Sequence, residues 1–262
     1  MRKPLLYIWL RGWGEIAHHK ILPYVNILDT TYSKFFSVKF LICTNENDII
    51  LKDNNFLSLF KHKKFQIIYA NMHLFSDAIN NLANATPKNV PVLSISLGIE
   101  LEMQALINAY GWIKVGAYAH GWQIKGLGND GTEPGKGWYN TCVLLNAKFI
   151  KSIKLNPLPS WIDNGILGNI KVREKEIPIG GGEEILLMKD ILLKDKNAYF
   201  ILDTNMKLTN HEHIATEVNF EEKIERKVAV AAYYLSNQLK ISKDMLWNSL
   251  IVIKNDGLWR GV

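Results

Sequence analysis

Cysteine is nearly absent from this sequence: Cys43 and Cys142 are the only two among 262 residues. They lie far apart, each in an apolar strand-like context, so a disulfide framework is not expected and a reducing cytoplasm is the expected compartment. Long apolar runs are also missing. None reaches the roughly 20 residues that a membrane-spanning helix requires. The opening MRKPLLYIWLRGWGE has a basic start and a short apolar stretch, but Arg11 interrupts it and no small-residue cleavage site follows. It reads as a first strand rather than a signal peptide. The common catalytic signatures are lacking too. There is no phosphate-cradling G-x-x-x-x-G-K-[ST], no G-x-G-x-x-G after the first strand, and no nucleophile elbow or Ser-His-Asp order.

What remains is a globular composition, 48% hydrophobic and 21% charged, with a net charge of +6. That supports one large α/β domain, or a domain with an appendage. The basic excess is scattered apart from KHKK at 61–64, which reads as a solvated helix end and not as a nucleic-acid patch. A mild positive bias suits phosphate-bearing ligands or peripheral contact with an anionic membrane.

Apolar periodicity alternates along the first half of the chain. Strands are expected at 4–10, 37–44, 65–70, 90–96 and 113–119. Helices are expected between them, with a kink or interruption at Pro23 and a helix at 99–110. This order predicts a mostly parallel, Rossmann-like sheet with helices on both faces. Regularity fades from 120 to 182, a span rich in Gly, Asn, Pro and Trp, where a long loop is usually functional. A helix then follows in GEEILLMKDILL, a strand at 198–204, a long amphipathic helix at 219–239, and a last strand in the tail. The expected division is 1–218 for the α/β domain and 219–262 for a C-terminal helical extension packed on it.

The segment IPIGGGEEILLMKDILL raises the main chemical question. Gly180–Gly182 allow a sharp turn and close approach to a ligand. They deliver Glu183 and Glu184 into the first turn of a helix. Two carboxylates there interact favourably with the helix dipole, and equally could hold a general base at a cleft. His211 and His213 alternate in NHEH, so in an extended segment both could face one way and bind a metal with Asp203. His18 and His19 lie within a helix and His62 in a charge run, where structural or solvated roles are expected.

In order, these pieces resemble the family-2-type glycosyltransferases of the glycosyltransferase A fold. The matching segments are LICTNEND, then FQIIYANMHLFSDAINNLANAT, VPVLSIS, LEMQALINAY and KVGAYA. YNTCVLLNAKFI, GGGEEILLMKDILL and AYFILDTNMKLTNHEH follow. The resemblance implies transfer of a sugar from a nucleotide-sugar donor to a carbohydrate or lipid-linked acceptor. It implies donor contacts at Asp48, Asp77, Asn80, Ser94 and Ser96, and a general base at Glu184 or Glu183. It also implies an acceptor platform at Trp122 and Trp138, for which ordinary packing is the plain alternative, and a diphosphate or metal contact at His211. One departure matters. Where the family carries Asp-x-Asp to hold Mg²⁺ or Mn²⁺, this chain has Ser94-Ile95-Ser96, whose neutral hydroxyls are poor ligands for a hard cation. Mn²⁺ or Mg²⁺ dependence is therefore disfavoured, and a diphosphate neutralised by Lys or Arg is one alternative. The opening LYIWLRGWGE also lacks the family's P-x-x-N. A noncatalytic nucleotide- or carbohydrate-binding protein on the same fold is the rival reading. An unrelated Rossmann-like methyltransferase or nucleotide-binding enzyme is a third.

Overall fold

A computed structural model describes residues 2–12, 14–72, 75–99, 101–124, 142–155, 169–172, 175–178, 183–208, 242–254 and 257–260. The first three strands are β1 (Leu5–Arg11), β2 (Ser37–Thr44) and β3 (Phe65–Tyr69). Helices α1 (Gly14–Tyr32) and α2 (Asn54–Leu59) connect them. Helix α3 (Phe75–Ala85), β4 (Val92–Ser96), α4 (Met103–Lys114), β5 (Ala119–Ile124), β6 (Cys142–Leu145) and α5 (Ala147–Leu155) follow. A small hairpin of β7 (Asn169–Val172) and β8 (Lys175–Pro178) stands apart from the main sheet. Then come α6 (Glu183–Lys194), β9 (Phe200–Leu208), α7 (Lys243–Asn248), β10 (Leu250–Lys254) and β11 (Gly257–Arg260).

The main sheet runs β11-β10-β9-β5-β6-β4-β1-β2-β3. β3, β2, β1 and β4 are parallel neighbours. β6 enters antiparallel between β4 and β5, and β5, β9 and β10 are again parallel. β11 closes the edge antiparallel. The mostly parallel α/β sheet read from the sequence is therefore the observed one. Strands β1, β2 and β4 are buried on both faces, as the inner strands of parallel sheets are. One core cluster joins Trp9, Leu41, Val143 and Phe200 to helices α3, α5 and α6. The other joins Ile8, Phe40, Leu93 and Ile201 to α1 and α4.

Helix α1 runs unbroken through Pro23, so the expected interruption does not occur. The proline ring removes one backbone donor without ending the helix. The fifth strand also differs from expectation. Residues 113–114 finish α4, and the strand begins only at Ala119. Helix α4 is correspondingly displaced from 99–110 to Met103–Lys114. The apolar run from Ile113 to Tyr118 fits either state, and Gly116, at φ +112, marks the break. In the tail, the single expected strand is the pair β10 and β11, which extends the main sheet. The long helix expected at 219–239 and the boundary at 218–219 lie outside the described residues.

Candidate functional site at the carboxyl edge

The chain lays down β1, β2 and β3 in one direction, then crosses β1 to place β4 on its other side. At such a reversal the loops leaving adjacent strands diverge and open a crevice beyond their carboxyl ends, where open α/β sheets bind ligands. Three residues meet at this seam. Arg11, the last of β1, is in register with Cys43 of β2 on one side and Ser96 of β4 on the other. Neither an acidic motif nor glycine spacing marks Arg11 in the sequence; its signal there is a cation closing an apolar strand.

The loops around the seam are held by side-chain bonds to backbone. Asp48 accepts from the Gly14 amide through both oxygens, at 3.1 and 3.0 Å, and from the Ile50 amide at 3.1 Å. It thereby caps a 3-10 turn at Ile49–Lys52 and ties the loop after β1 to the loop after β2. Gly14 sits at φ +75, a left-handed conformation that favours glycine. Asp77, in the first turn of α3, accepts from the Asn71 amide at 2.7 Å and from the Asn81 side chain at 3.2 Å. Asn45 accepts from the Met72 amide at 2.9 Å. The loops after β2 and β3 and the start of α3 thus form one pinned rim. Among the described residues the Asn80 carbonyl oxygen and the Thr44 hydroxyl are buried without a hydrogen-bond partner. A buried polar atom left in that state is costly unless a ligand or water completes it.

On the opposite face, α1 fixes the loop after β4. The Tyr24 hydroxyl points at the Ser96 carbonyl, 3.2 Å away, and at the Ile99 carbonyl, while the Tyr32 hydroxyl donates to Leu101 at 2.9 Å. Ser94 is buried and Ser96 half-buried, so of the two only Ser96 lies at the rim. The described residues do not group into a site for a hard divalent cation. Among the described residues no group of three or more His, Cys, Asp or Glu could hold one, and the two serines offer neutral oxygens. Glu102, at the N-cap of α4, makes no capping hydrogen bond and is exposed; Glu100 lies outside the described residues.

Helix α6 begins at Glu183, as expected. It precedes β9, and its far end lies beside the start of β5, where Tyr118 donates to Asp195 at 2.8 Å. Twelve helical residues span about 18 Å, so the start of α6 lies toward the carboxyl edge. Leu187, Met188, Ile191 and Leu192 bury the helix against the core. The side chains of Glu183 and Glu184 are outside the described set, as are Gly180–Gly182, Trp138, His211 and His213.

Trp122 is a correction. It lies in β5 rather than in a loop and is fully buried, so its ring offers no platform to an acceptor. Among the described residues its indole N–H has no hydrogen-bond partner, and its ring packs 5.0 Å from that of His120. His120 is itself buried, with its Nε2 at 3.7 Å from the Asp203 carboxylate on β9. That distance is too long for a hydrogen bond, and charge attraction across it requires a protonated ring. Burial lowers the pKa of His120, and Asp203 partly opposes the shift. Asp203 therefore faces His120 across β5 and β9. Cys43 and Cys142 are buried free thiols. Desolvation pushes Cys43 up to about 12, although the nearby Arg11 acts to lower it, and raises Cys142 as well. Both thiols are inert as nucleophiles.

No family model matches this sequence, and no curated protein matches it. Among solved structures, it is similar to a mannosyltransferase from Pyrobaculum calidifontis in complex with GDP-Man and Mn²⁺, at 9% identity and TM-score 0.43, covering 61% of this chain and 48% of that one. The chain thus spans about half the length of that enzyme. It is also similar to TarS residues 1–349 from S. aureus, at 11% identity and TM-score 0.49, covering 94% of this chain and 78% of that one. A third likeness is to 4-diphosphocytidyl-2C-methyl-D-erythritol synthase from Anaerococcus prevotii, at 10% identity and TM-score 0.47, over 81% of this chain and 93% of that one. These are likenesses of fold and carry no residue roles.

Proposed function

We propose that the chain binds a nucleoside-diphosphate sugar at the carboxyl edge of β1, β2 and β4 and transfers the sugar to a hydroxyl of a glycan or lipid-linked acceptor. The supporting observation is the placement of Arg11 at the strand-order reversal, between Cys43 and Ser96. A guanidinium matches a diphosphate bidentately and carries its charge at any working pH. It supplies there the positive charge that Ser94 and Ser96 cannot recruit through a metal. Asp77 and Asn80 lie on the donor side of the rim, and the unpartnered Asn80 oxygen is free to accept from a ligand donor. Asp48 ties the loops of this rim together through two backbone amides and keeps acceptor capacity on the donor side.

In this reading one of Glu183 and Glu184 takes the proton from the acceptor hydroxyl. The hydroxyl oxygen attacks the anomeric carbon, and the bond to the diphosphate breaks with its electron pair leaving on phosphate oxygen. Arg11 stabilises that charge as it develops. Trp138 serves the acceptor and His211 the diphosphate.

A second reading, a noncatalytic nucleotide- or carbohydrate-binding protein, is favoured by the neutral Ser94-Ile95-Ser96 at the end of β4. A thermal-shift panel of nucleoside diphosphates and their sugars tests the binding step. UDP and GDP sugars are the first probes. A ligand at 100 times its dissociation constant stabilises by about 2.7 kcal/mol. The expected result is a shift with at least one nucleotide sugar that changes little when Mn²⁺ or Mg²⁺ is added. A gain in affinity of about tenfold or more with metal contradicts the Arg11 account, and no shift with any nucleotide contradicts the donor site.

A further inference from the structure

At the opposite edge of the sheet lies a recess of about 750 Å³, within the usual size of a small-molecule pocket. It sits where β9 and β10 begin. Trp112 reaches it from the last turn of α4, Lys196, Asn197 and Tyr199 from the connection between α6 and β9, and Asp244 and Asn248 from α7. These elements converge because α4 and α6 both run toward the amino ends of the parallel strands. The recess is thus separated from the carboxyl edge by the length of a strand, roughly 15 Å or more. No role at that edge accounts for it.

Its chemistry is specific. Trp112 and Tyr199 are half-buried and packed against the core, so their rings are held in place while part of each remains accessible. The Tyr199 hydroxyl donates to the Val115 carbonyl at 3.0 Å. That bond uses its proton and leaves oxygen lone pairs as acceptors. Lys196, Asn197, Asp244 and Asn248 are exposed, and their side chains make no hydrogen bond or ion pair among the described residues. The lining therefore presents two fixed aromatic rings, two amides and a pair of opposite charges that sum to zero. A phosphate or other anion would find no net positive charge here. A wholly apolar ligand would leave both amides and both charges without partners. A neutral saccharide matches each component. Its C–H face packs on an aromatic ring, and its paired hydroxyls both donate and accept, as amides and a carboxylate require.

We infer that this amino-edge recess is a binding site for neutral saccharide units, separate from the proposed transfer site. The inference stands whether or not the carboxyl edge transfers sugar. If it does, the recess engages a glycan on the face remote from the chemistry, lengthening residence on a polymeric acceptor through a second contact.

The test is calorimetric titration of the full chain with a panel of neutral tetrasaccharides of glucose, mannose and N-acetylglucosamine. Backbone amide shifts from NMR locate the contact. Asp244→Ala and Asn248→Ala alter exposed side chains and are paired with melting temperatures to establish folding. Trp112→Leu tests the aromatic contribution, read only if its melt remains cooperative. The expected result is saturable binding of at least one neutral tetrasaccharide, with shifts centred on 196–199 and 244–249. Affinity should fall about tenfold in Asp244→Ala or Asn248→Ala, with nucleotide-induced stabilisation unaltered. Three results overturn the inference: no binding across the panel, binding that both exposed-residue variants leave intact, or binding confined to anionic saccharides. Failure of the donor-site reading is distinguishable, because it shows as an absence of nucleotide-induced stabilisation and leaves the saccharide titration unchanged.

Discussion

Glu183 and Glu184 open α6 side by side, and adjacent helical positions point about 100° apart. One geometry therefore cannot serve both: if one carboxylate faces the cleft, the other faces away from it. Replacing the cleft-facing glutamate with glutamine retains size and polarity while removing the basic oxygen. In a transfer assay the rate should fall about 10²-fold or more, with nucleotide binding and melting temperature almost unchanged. If the pair only balances the helix dipole, either Glu→Gln change should cost at most about 1 kcal/mol of stability and leave turnover intact. His120 allows a separate test. Burial lowers its pKa in the fold, whereas the unfolded chain takes up the proton near pH 6.5, about the ordinary histidine value. The fold thus prefers the neutral ring, and the stability present above that pH is lost as pH falls toward the depressed folded value. Melting temperatures between about pH 7 and about pH 5 should fall more steeply for the native chain than for His120→Gln. Parallel slopes would show that the His120–Asp203 pair holds its proton equally in both states.

At the scale of elements, the coupling between β1 and α3 rests on a buried side-chain bond. The Trp9 indole donates to the Thr86 hydroxyl at 2.9 Å, and that hydroxyl donates in turn to the Leu82 carbonyl at 2.7 Å. Thr86→Val keeps the shape and leaves the indole N–H without its acceptor. Urea denaturation should show a loss of about 1–3 kcal/mol, and no measurable loss would mean that the indole finds another partner. Element identity was most legible where apolar runs were bounded by polar turns. PLLYIWL, SVKFLICT, FQIIYA and VPVLSIS match the observed parallel strands β1 to β4 to within two residues at each end. It was least legible where one run fits two states. IKVGAYA contains the end of α4, a glycine break and the start of β5, so its apolar pattern places the strand six residues early and leaves Trp122 in the loop that follows. Local pattern cannot show that β6 inserts antiparallel between β4 and β5, because that depends on non-local pairing.

For the whole molecule, one sheet carries two chemically different regions, one beyond the carboxyl ends of β1, β2 and β4 and the other at the amino ends of β9 and β10. The carboxyl edge joins Arg11, Asp77, Asn80 and Ser96 through the crossing of β1. Among the described residues no helix is long and apolar enough to cross a membrane. The candidate site was legible in the acids and amides of the loops, which carry turn and capping chemistry visible in short segments. Arg11 was not legible as a site residue, because its significance comes from the neighbours that the strand order gives it. Calorimetric titration of UDP and GDP sugars without metal, comparing the native chain with Arg11→Gln, tests this assignment most directly. The account predicts that at least one donor binds the native chain and that Arg11→Gln weakens it about tenfold or more while the protein still melts cooperatively. Equal affinity for both proteins, or donor binding that appears only when Mn²⁺ is added, would contradict it.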